Sequence, residues 1–197
     1  MWKSFVFVVA ACAGCLCASV ALATKEVPPK VVEEDDGLYV WSLSESGDYA
    51  AISLTPDFFA LDAIAWGIEC PIDAMSDHRM CKFLFENPVT RKRNGSGLFV
   101  NYLGTSDPQF ICVSLHDYPG KKAMIRVDKN APFTTMENGC IAAAEVLPQL
   151  LTGTKVTLRR YTFPGNFSRD EEHLLTGFTK TIDTVRRIQE GTLTPAR

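Results

Sequence analysis

Short apolar or alternating runs recur along the chain and show the period of two that belongs to strands. This period places alternate side chains on one face of a strand, and turn-forming residues such as Tyr118-Pro119-Gly120 separate the runs. Several short strands with turns between them are typical of antiparallel sandwiches and barrels. The runs occupy residues 50–54, 63–70, 80–86, 97–103, 109–115, 123–127 and 155–163.

Two segments have helical periodicity instead. Residues 141–151 predict a short helix that ends at Thr152-Gly153, with Pro148 limiting its regularity. Near the C-terminus, apolar residues recur every three or four positions, which predicts an amphipathic helix packed on the sheet. We therefore predict a mainly β (α+β) fold, an antiparallel β-sandwich with a short helix and a C-terminal amphipathic helix. The apolar stripe consists of Leu174, Leu175, Phe178, Ile182, Val185 and Ile188.

The N-terminal segment has the composition of a secretory signal peptide. Lys3 makes the start positive, residues 5–22 carry no charge, and Ala21-Leu22-Ala23 is a small-residue cleavage site. We predict a signal peptide over residues 1–23, and export to the periplasm or the cell surface. Two alternatives stay open, because the apolar stretch is about long enough for an uncleaved membrane anchor and its cysteines allow lipidation.

The composition divides the rest of the chain into three parts. Residues 24–48 combine adjacent prolines with an acidic run, and this low hydrophobicity predicts a flexible linker. Residues 38–41 within it are apolar enough to begin the fold or to pack on its edge. Residues 49–191 contain the predicted strands and helices and form one β-rich domain. The tail at residues 192–197 is expected to fray.

The charge balance excludes one class of function. The chain carries a net charge of −3, and removal of Lys3 with the signal leaves a mature chain of 174 residues with a charge of −4. A weakly acidic domain lacks the electrostatic footprint of a dedicated nucleic-acid binder. Its length is that of one domain with a sizeable core.

The cysteines indicate an oxidising compartment. Of seven cysteines, three lie in the predicted signal and four remain, an even number that indicates disulfides in an exported chain. Four cysteines allow three pairings. Cys70–Cys81 is favoured because these residues bound apolar runs on either side of a polar loop, which leaves Cys112–Cys140. A reactive thiol at Cys81, beside a histidine and an arginine, is the competing hypothesis.

The sequence shows no established catalytic constellation. Ser114, His116 and Asp117 follow one predicted strand, and alternation would place the serine and the histidine on the same face. A nucleophilic site also needs an oriented acid and an oxyanion hole, and no G-x-S-x-G elbow presents a serine. We therefore predict a non-enzymatic protein without a cofactor. A periplasmic hydrolase that uses these three residues is the alternative.

The run Asp170-Glu171-Glu172-His173 is the strongest candidate for a set of metal ligands. However, the sequence has no H-E-x-x-H motif, EF-hand loop or histidine cluster. Carboxylates directly before an amphipathic helix stabilise its N-terminus through the helix dipole. We assign this run to the start of the last helix and predict no metal site. The acidic run at residues 33–36 is expected to be solvated.

The basic run Arg91-Lys92-Arg93 is one candidate for a binding patch. It lies at an expected hairpin tip, where solvated turn charge is the usual role of such residues. Contact with an acidic partner or with lipid head groups is the alternative, and it would allow peripheral membrane association.

The aromatic residues Tyr161, Phe163 and Phe167 are the second candidate. They lie in an apolar-rich segment between the last predicted strand and the last predicted helix. If they are exposed together, they form a recognition surface. If they are buried, they cap the sandwich.

Six short motifs between residues 66 and 178 indicate a family resemblance. Most of them combine a large apolar or aromatic residue with a cysteine or a turn-forming glycine, so they are mainly structural. The motifs are Trp66-x-x-x-Cys70, Cys81 with hydrophobic residues after it, Ile125-Arg126-Val127-Asp128, Asn138-Gly139-Cys140-Ile141-Ala142, Leu150-Leu151-Thr152-Gly153 and Leu174-Leu175-Thr176-Gly177-Phe178.

With these motifs, residues 66–187 resemble the invasion-associated locus B family of alphaproteobacterial envelope proteins. The resemblance covers about two thirds of the chain. It implies a β-rich periplasmic or surface-associated protein without an established catalytic site. Members of this family often carry a cysteine shortly before the Gly-Cys pair, where this chain has Thr134-Thr135-Met136. The resemblance implies that Cys112 replaces that partner.

Composition and resemblance together lead to one functional hypothesis. The chain is expected to be a non-enzymatic envelope protein that binds an envelope or host protein, a glycan or a small ligand. Some members of the family are linked to host-cell entry, so a role in host interaction or invasion is an extension of this hypothesis.

Overall fold

The computed structural model describes residues 29–44, 48–57, 64–85, 97–165 and 167–193. The predicted signal peptide at residues 1–23 and the basic run Arg91-Lys92-Arg93 lie outside these ranges. Within them, twelve strands form two antiparallel sheets, accompanied by two helices. This architecture confirms the predicted mainly β sandwich.

The larger sheet has eight strands in the order β1-β2-β3-β4-β5-β6-β7-β10. Strands β1 to β7 are neighbours in space in the order in which they occur along the chain, and β10 joins the far edge beside β7. The strands are β1 (Lys30–Asp35), β2 (Leu38–Ser42), β3 (Tyr49–Ser53), β4 (Ile64–Glu69), β5 (Lys82–Phe85), β6 (Leu98–Asn101), β7 (Phe110–Val113) and β10 (Cys140–Ala142).

The smaller sheet has four strands in the order β12-β11-β8-β9. One side of it is a long hairpin in which the edge strand β12 pairs with β11 over eight positions without a bulge. The elements are β8 (Met124–Val127), β9 (Phe133–Thr134), β11 (Lys155–Thr162) and β12 (Phe167–Leu174), with the helices α1 (Ala143–Thr152) and α2 (Phe178–Gln189).

Alternation along the strands places one face of each sheet in a shared core. In the larger sheet, Ile68, Phe83, Val100 and Ile111 are cross-strand neighbours on successive strands, and each is at most 2% exposed. Each such side chain contributes about 1.5–3 kcal/mol by its burial. The smaller sheet and both helices add Ile125, Val127, Val156, Leu158, Val146, Leu150, Phe178 and Val185 to the same core.

The C-terminal helix begins later than predicted. Its last four stripe residues are buried, but Leu174 ends β12 opposite Lys155 and is 60% exposed. The assignment of Leu174 to the helical stripe is therefore wrong. Gly177 precedes the helix with φ of +80°, and a Cβ atom there would lie 3.3 Å from Trp66. Neither of the described helices has the length and apolarity needed to cross a membrane.

The segment from β1 to β2 belongs to the fold, so the predicted flexible linker over residues 24–48 is wrong for residues 30–42, where residues 38–41 form part of a strand as the alternative allowed. The two strands pair with each other, and β2 pairs with β3. Glu33, which we expected to be solvated, accepts hydrogen bonds from Lys180 and Arg187 on α2. Distant cations therefore hold a segment whose own composition is too polar to fold alone.

Glu33 makes the stability of this edge dependent on pH. Hydrogen bonds from Lys180 and Arg187 hold the pKa of Glu33 below its usual value of 4.5. A carboxylate whose pKa is lowered by folding stabilises the folded state above the unfolded pKa, and this contribution is lost as the pH falls through the folded pKa. We expect Glu33→Gln to lower the free energy of unfolding by about 1 kcal/mol at neutral pH.

Urea denaturation at neutral pH and below pH 4.5 measures this effect, since the difference between Glu33→Gln and the wild type should shrink below the usual pKa of 4.5. Glu137→Gln, at an exposed turn, is the matched control and should change stability little at either pH. A difference that stays constant across this range would contradict the assignment.

The start of the C-terminal tail is ordered against the core. Leu193 is 9% exposed, and the backbone N–H groups of Thr192 and Leu193 donate to the carbonyl of Arg187 at 2.9 and 3.2 Å. The expectation that residues 192–197 fray is therefore wrong for residues 192 and 193, because Leu193 packs on the core. Residues 194–197 lie outside the described ranges.

Both favoured disulfides are present. Cys70–Cys81 closes the connection between β4 and β5, with Cα atoms 3.9 Å apart. Cys112–Cys140 joins directly opposed residues of β7 and β10. The competing hypothesis of a reactive thiol at Cys81 is wrong, because its sulfur is bonded to Cys70.

Candidate functional site

The segment that follows β7 decides whether Ser114, His116 and Asp117 form a catalytic group. β7 ends at Val113, and Leu115 adopts a left-handed conformation with φ of +58°. The alternation of a strand therefore does not extend to these residues, and the argument that placed Ser114 and His116 on one face does not apply.

Each of the three side chains is engaged with the main chain of another segment. Ser114 Oγ accepts a hydrogen bond from the N–H of Gly97 at 2.6 Å. Asp117 Oδ1 accepts one from the N–H of Phe163 at 2.8 Å. No hydrogen bond among the described residues joins Ser114, His116 and Asp117 to one another, so the structure does not assemble them as a triad.

His116 is a buried side chain that links two segments through hydrogen bonds to their main chains. It is 8% exposed; its Nδ1 accepts a hydrogen bond from the N–H of Tyr161 at 3.1 Å, and its Nε2 lies 3.1 Å from the carbonyl of Lys121. The first contact requires an unprotonated Nδ1, so the proton resides on Nε2 and is donated to Lys121. Gly139 leaves room for the ring, since a Cβ atom there would lie 3.2 Å from His116. Both ring nitrogens are thus occupied in holding two segments together.

These contacts fix the end of the β11–β12 hairpin against the loop after β7. The N–H of Asp117 donates to the carbonyl of Tyr161 at 3.3 Å, beside the bonds to the N–H groups of Tyr161 and Phe163. Three hydrogen bonds at residues 161–163 therefore attach the hairpin end to the sandwich.

Aromatic side chains cover this end of the molecule. The rings of Tyr118 and Phe163 are 6.0 Å apart, and Lys121 Nζ lies 5.4 Å from the ring centre of Tyr161 and 6.0 Å from that of Tyr118. Such distances are typical of cation–π contacts. We call Tyr118, Lys121, Tyr161, Phe163 and Phe167 the aromatic surface.

The aromatic surface is open to solvent at its tip. Phe163 is 62% exposed and Phe167 is 77% exposed, while Tyr161 is half-buried. The predicted patch residues of the hairpin therefore lie at one end of the sandwich and do not cap the core. Tyr118 and Lys121 were missed by the sequence prediction, although Tyr118-Pro119-Gly120 marked a turn. Arg91, Lys92 and Arg93 lie outside the described residues.

The acidic run of residues 170–172 lies in β12, which corrects its assignment to a helix start. Arg159 makes two hydrogen bonds to Asp170, at 2.7 and 2.6 Å, and these hold the pKa of the Asp170 carboxyl below its usual range. Glu171 pairs with the buried Arg160 at 3.3 Å. Asp170 is thus paired with the residue directly opposite it, whereas Glu171 is paired with a diagonal neighbour on β11 and with Arg169 of its own strand at 2.9 Å.

Lys155 pairs with Glu172 at 3.0 Å, which completes this row of ion pairs. Within the described ranges, no three acidic, histidine or cysteine side chains are grouped so that they could hold a metal ion. In these ranges the acidic run therefore stabilises the hairpin through charge pairing across the strands.

A shallow depression lies where the Cys70–Cys81 loop meets the end of α2. This depression has a volume of about 280 Å³ and is lined by His78, Arg79, Thr105 and Gln189, among others. It is slightly below the range of about 300–1,000 Å³ typical of small-molecule sites. Arg79 is already paired with Asp48, so its charge is less available to a ligand in this depression. The aromatic surface is the stronger candidate.

The chain matches no family model, no curated protein and no solved structure. Its function therefore has to be argued from its own residues and their arrangement.

Proposed function

We propose that the chain is exported and acts as a non-enzymatic binding protein of the bacterial cell envelope, with the aromatic surface as its binding site. The observation that carries the proposal is the exposure of Phe163 and Phe167, at 62% and 77%, on a hairpin end that the rest of the fold holds in place. Exposed apolar groups of this kind mark interaction sites on soluble domains.

Export is supported by the N-terminal signal pattern and by the disulfides. Both bridges lie within a β-rich fold of the kind that extracellular proteins stabilise with disulfides. Such bonds persist in oxidising compartments and are rare in the cytosol. The resemblance to the invasion-associated locus B family points to the same compartment, and a role in host interaction is proposed on that resemblance alone.

A binding function is favoured over a hydrolase by the state of the three candidate catalytic residues. Ser114 Oγ accepts a backbone hydrogen bond, and the His116 nitrogens and the Asp117 carboxylate hold main-chain groups. A nucleophile needs a base within hydrogen-bond reach. These side chains serve instead to position the aromatic surface, which is what a rigid recognition site requires.

Retention on the native envelope tests the proposal. The mature protein, with its N-terminus checked by mass spectrometry for cleavage after Ala23, is mixed with envelope fractions from its own source and sedimented. Phe163→Ser/Phe167→Ser is expected to reduce the bound fraction at least about tenfold, because each ring removed from a contact costs about 1.5–3 kcal/mol.

Leu174→Ser provides the matched control. Leu174 is 60% exposed, close to the value for Phe163, but it lies at the opposite end of β12. The control should bind as the wild type does, and all variants should unfold at similar temperatures. Equal binding by the wild type and the double phenylalanine variant would contradict the proposed role of the aromatic surface.

A further inference from the structure

The two phenylalanines of the aromatic surface project from a hairpin end. Thr162 and Phe167 are the last paired residues of β11 and β12, and Phe163 follows directly after the pair. The two phenylalanines therefore flank the end of the hairpin.

The hairpin end needs no ordering before it binds. Asp117 Oδ1 accepts a hydrogen bond from the N–H of Phe163, and His116 Nδ1 accepts one from the N–H of Tyr161. The ring of Phe167 packs against Gly165, where a side chain would not fit, because a Cβ atom at position 165 would lie only 2.7 Å from the ring. Since the main chain is already held, burial of the rings is not opposed by a large loss of conformational entropy.

Two lysines and one carboxylate surround the tip, where the exposed Asp117 accepts a hydrogen bond from the N–H of Phe163. Lys121 lies over the rings of Tyr118 and Tyr161, and Lys122 beside it is exposed. Neither lysine forms an ion pair with any residue that the structure describes. By contrast, Asp170 on the adjoining strand is paired with Arg159. Two lysines without ion pairs outnumber the single carboxylate of Asp117, so this end of the hairpin keeps a net positive charge that attracts anions.

The polar groups near the rings argue against a glycan. Sugar sites combine an aromatic platform with several free hydrogen-bonding groups that converge on the ligand. Here Asp117 Oδ1 and both nitrogens of His116 are used by the main chain. What remains at the surface is mainly aromatic rings, two of which carry a hydroxyl, and ammonium groups, the combination that binds the boundary between lipid head groups and acyl chains.

We propose that the aromatic surface docks on an anionic phospholipid bilayer, with Phe163 and Phe167 entering the interface and Lys121 and Lys122 contacting lipid phosphates. This inference rests on the proposed binding function and names its partner. The contact is peripheral, since two aromatic side chains bury only a small apolar area and the lysines add an electrostatic attraction that salt weakens.

Sedimentation with vesicles of defined composition tests the inference. The mature protein is mixed with vesicles of phosphatidylcholine alone, or of phosphatidylcholine and phosphatidylglycerol in equal parts. Binding is expected on the anionic vesicles and should fall as sodium chloride is added. Phe163→Ser/Phe167→Ser should reduce the partition coefficient at least about 100-fold, and Lys121→Gln/Lys122→Gln about 30-fold.

Two further variants make the result specific. Leu174→Ser should bind anionic vesicles as the wild type does. In Phe167→Trp, the indole fluorescence added to that of Trp41 and Trp66 should shift to the blue on anionic vesicles and should be quenched by brominated acyl chains, a change that the wild type should not show. Absence of wild-type binding to anionic vesicles, or equal partitioning of the phenylalanine double variant, would overturn the inference.

The vesicle and envelope measurements separate the two proposals. One outcome is that the phenylalanine variant loses envelope retention while the wild type does not bind vesicles. In that case the bilayer is the wrong partner, but the binding function stands, with a protein or a glycan as the ligand of the aromatic surface. If neither measurement depends on the phenylalanines, both proposals fail.

Discussion

Replacement of Trp66 by alanine is expected to lower the free energy of unfolding by about 3–5 kcal/mol, the range for loss of a large buried aromatic side chain. Trp66 is 0% exposed and lies between the larger sheet and α2. Its ring makes edge-on contacts with Phe83, Phe85 and Phe178 at centroid distances of 5.6, 5.4 and 5.3 Å. Alanine would leave a cavity bounded by three aromatic rings.

A hydrogen bond adds to the contribution of Trp66. Its indole N–H donates to the carbonyl of Thr176 at 2.8 Å, just before the start of α2. Trp66→Phe retains most of the packing and removes this donor, so the carbonyl loses its partner. We expect the phenylalanine variant to lose about 1–2 kcal/mol, less than the alanine variant.

Guanidinium chloride denaturation with the disulfides intact measures both variants. Tyr49→Ala is the control, since Tyr49 lies in the same sheet but is 45% exposed; its loss should be well below that of Trp66→Ala. If Trp66→Ala were as mild as Tyr49→Ala, Trp66 would not be the junction between sheet and helix that the contacts indicate.

Removal of the Cys112–Cys140 bridge is the second large effect. The two cysteines are 28 residues apart in sequence, and closure of a loop of that size is worth about 3–4 kcal/mol on the chain-entropy model. Cys112→Ala/Cys140→Ala is therefore expected to lose about this amount. The bridge also fastens β10, a strand of three residues at the edge of the larger sheet, to β7.

The two bridges should differ in how readily they are reduced in the folded protein. Cys70 and Cys81 are 0% and 1% exposed, whereas Cys112 is 9% exposed and Cys140 is half-buried. Mild reductant followed by alkylation and peptide mapping should label Cys112 and Cys140 first. Labelling of the Cys70 pair first would contradict the order expected from exposure, and a loss of stability near zero for the Cys112/Cys140 variant would show that the second bridge does not hold the sheet edge.

Strands with apolar alternation could be predicted because their signal is local. The seven predicted runs correspond to β3 to β8 and β11, with ends shifted by a few residues. Helix α1 was found within two residues of its predicted start, and Gly153 caps its end. In these elements each residue's preference and its burial agree, so the sequence pattern is sufficient.

Strand β12 was missed because its stabilisation is not local. An acidic run before an apolar stripe, here residues 170–172, is typical of a helix start. In the structure its charges are balanced across the hairpin by Arg159, Arg160 and Lys155. Pairing with a strand more than ten residues away replaces the helix dipole as the favourable interaction. The edge strand β1 was missed for the same reason, since Glu33 depends on cations of α2.

The candidate site was predictable only in part. Tyr161, Phe163 and Phe167 form an aromatic group that is visible in the sequence. Whether the rings are buried or exposed depends on where the hairpin ends relative to the sandwich, and the addition of Tyr118 and Lys121 depends on the packing of a separate loop. Neither property is encoded in the spacing of the aromatic residues themselves.

The sequence by itself determined the properties that arise from neighbouring residues: a mainly β chain with turns between its strands, two short helices, and paired cysteines. The tertiary structure decided what distant groups do to one another. Ser114, His116 and Asp117 form hydrogen bonds with main-chain groups of other segments. An acidic segment pairs as an edge strand, and Phe163 and Phe167 remain exposed. Hydrogen bonds and ion pairs between separate segments have no period along the chain, and for that reason they appear only when the chain is folded.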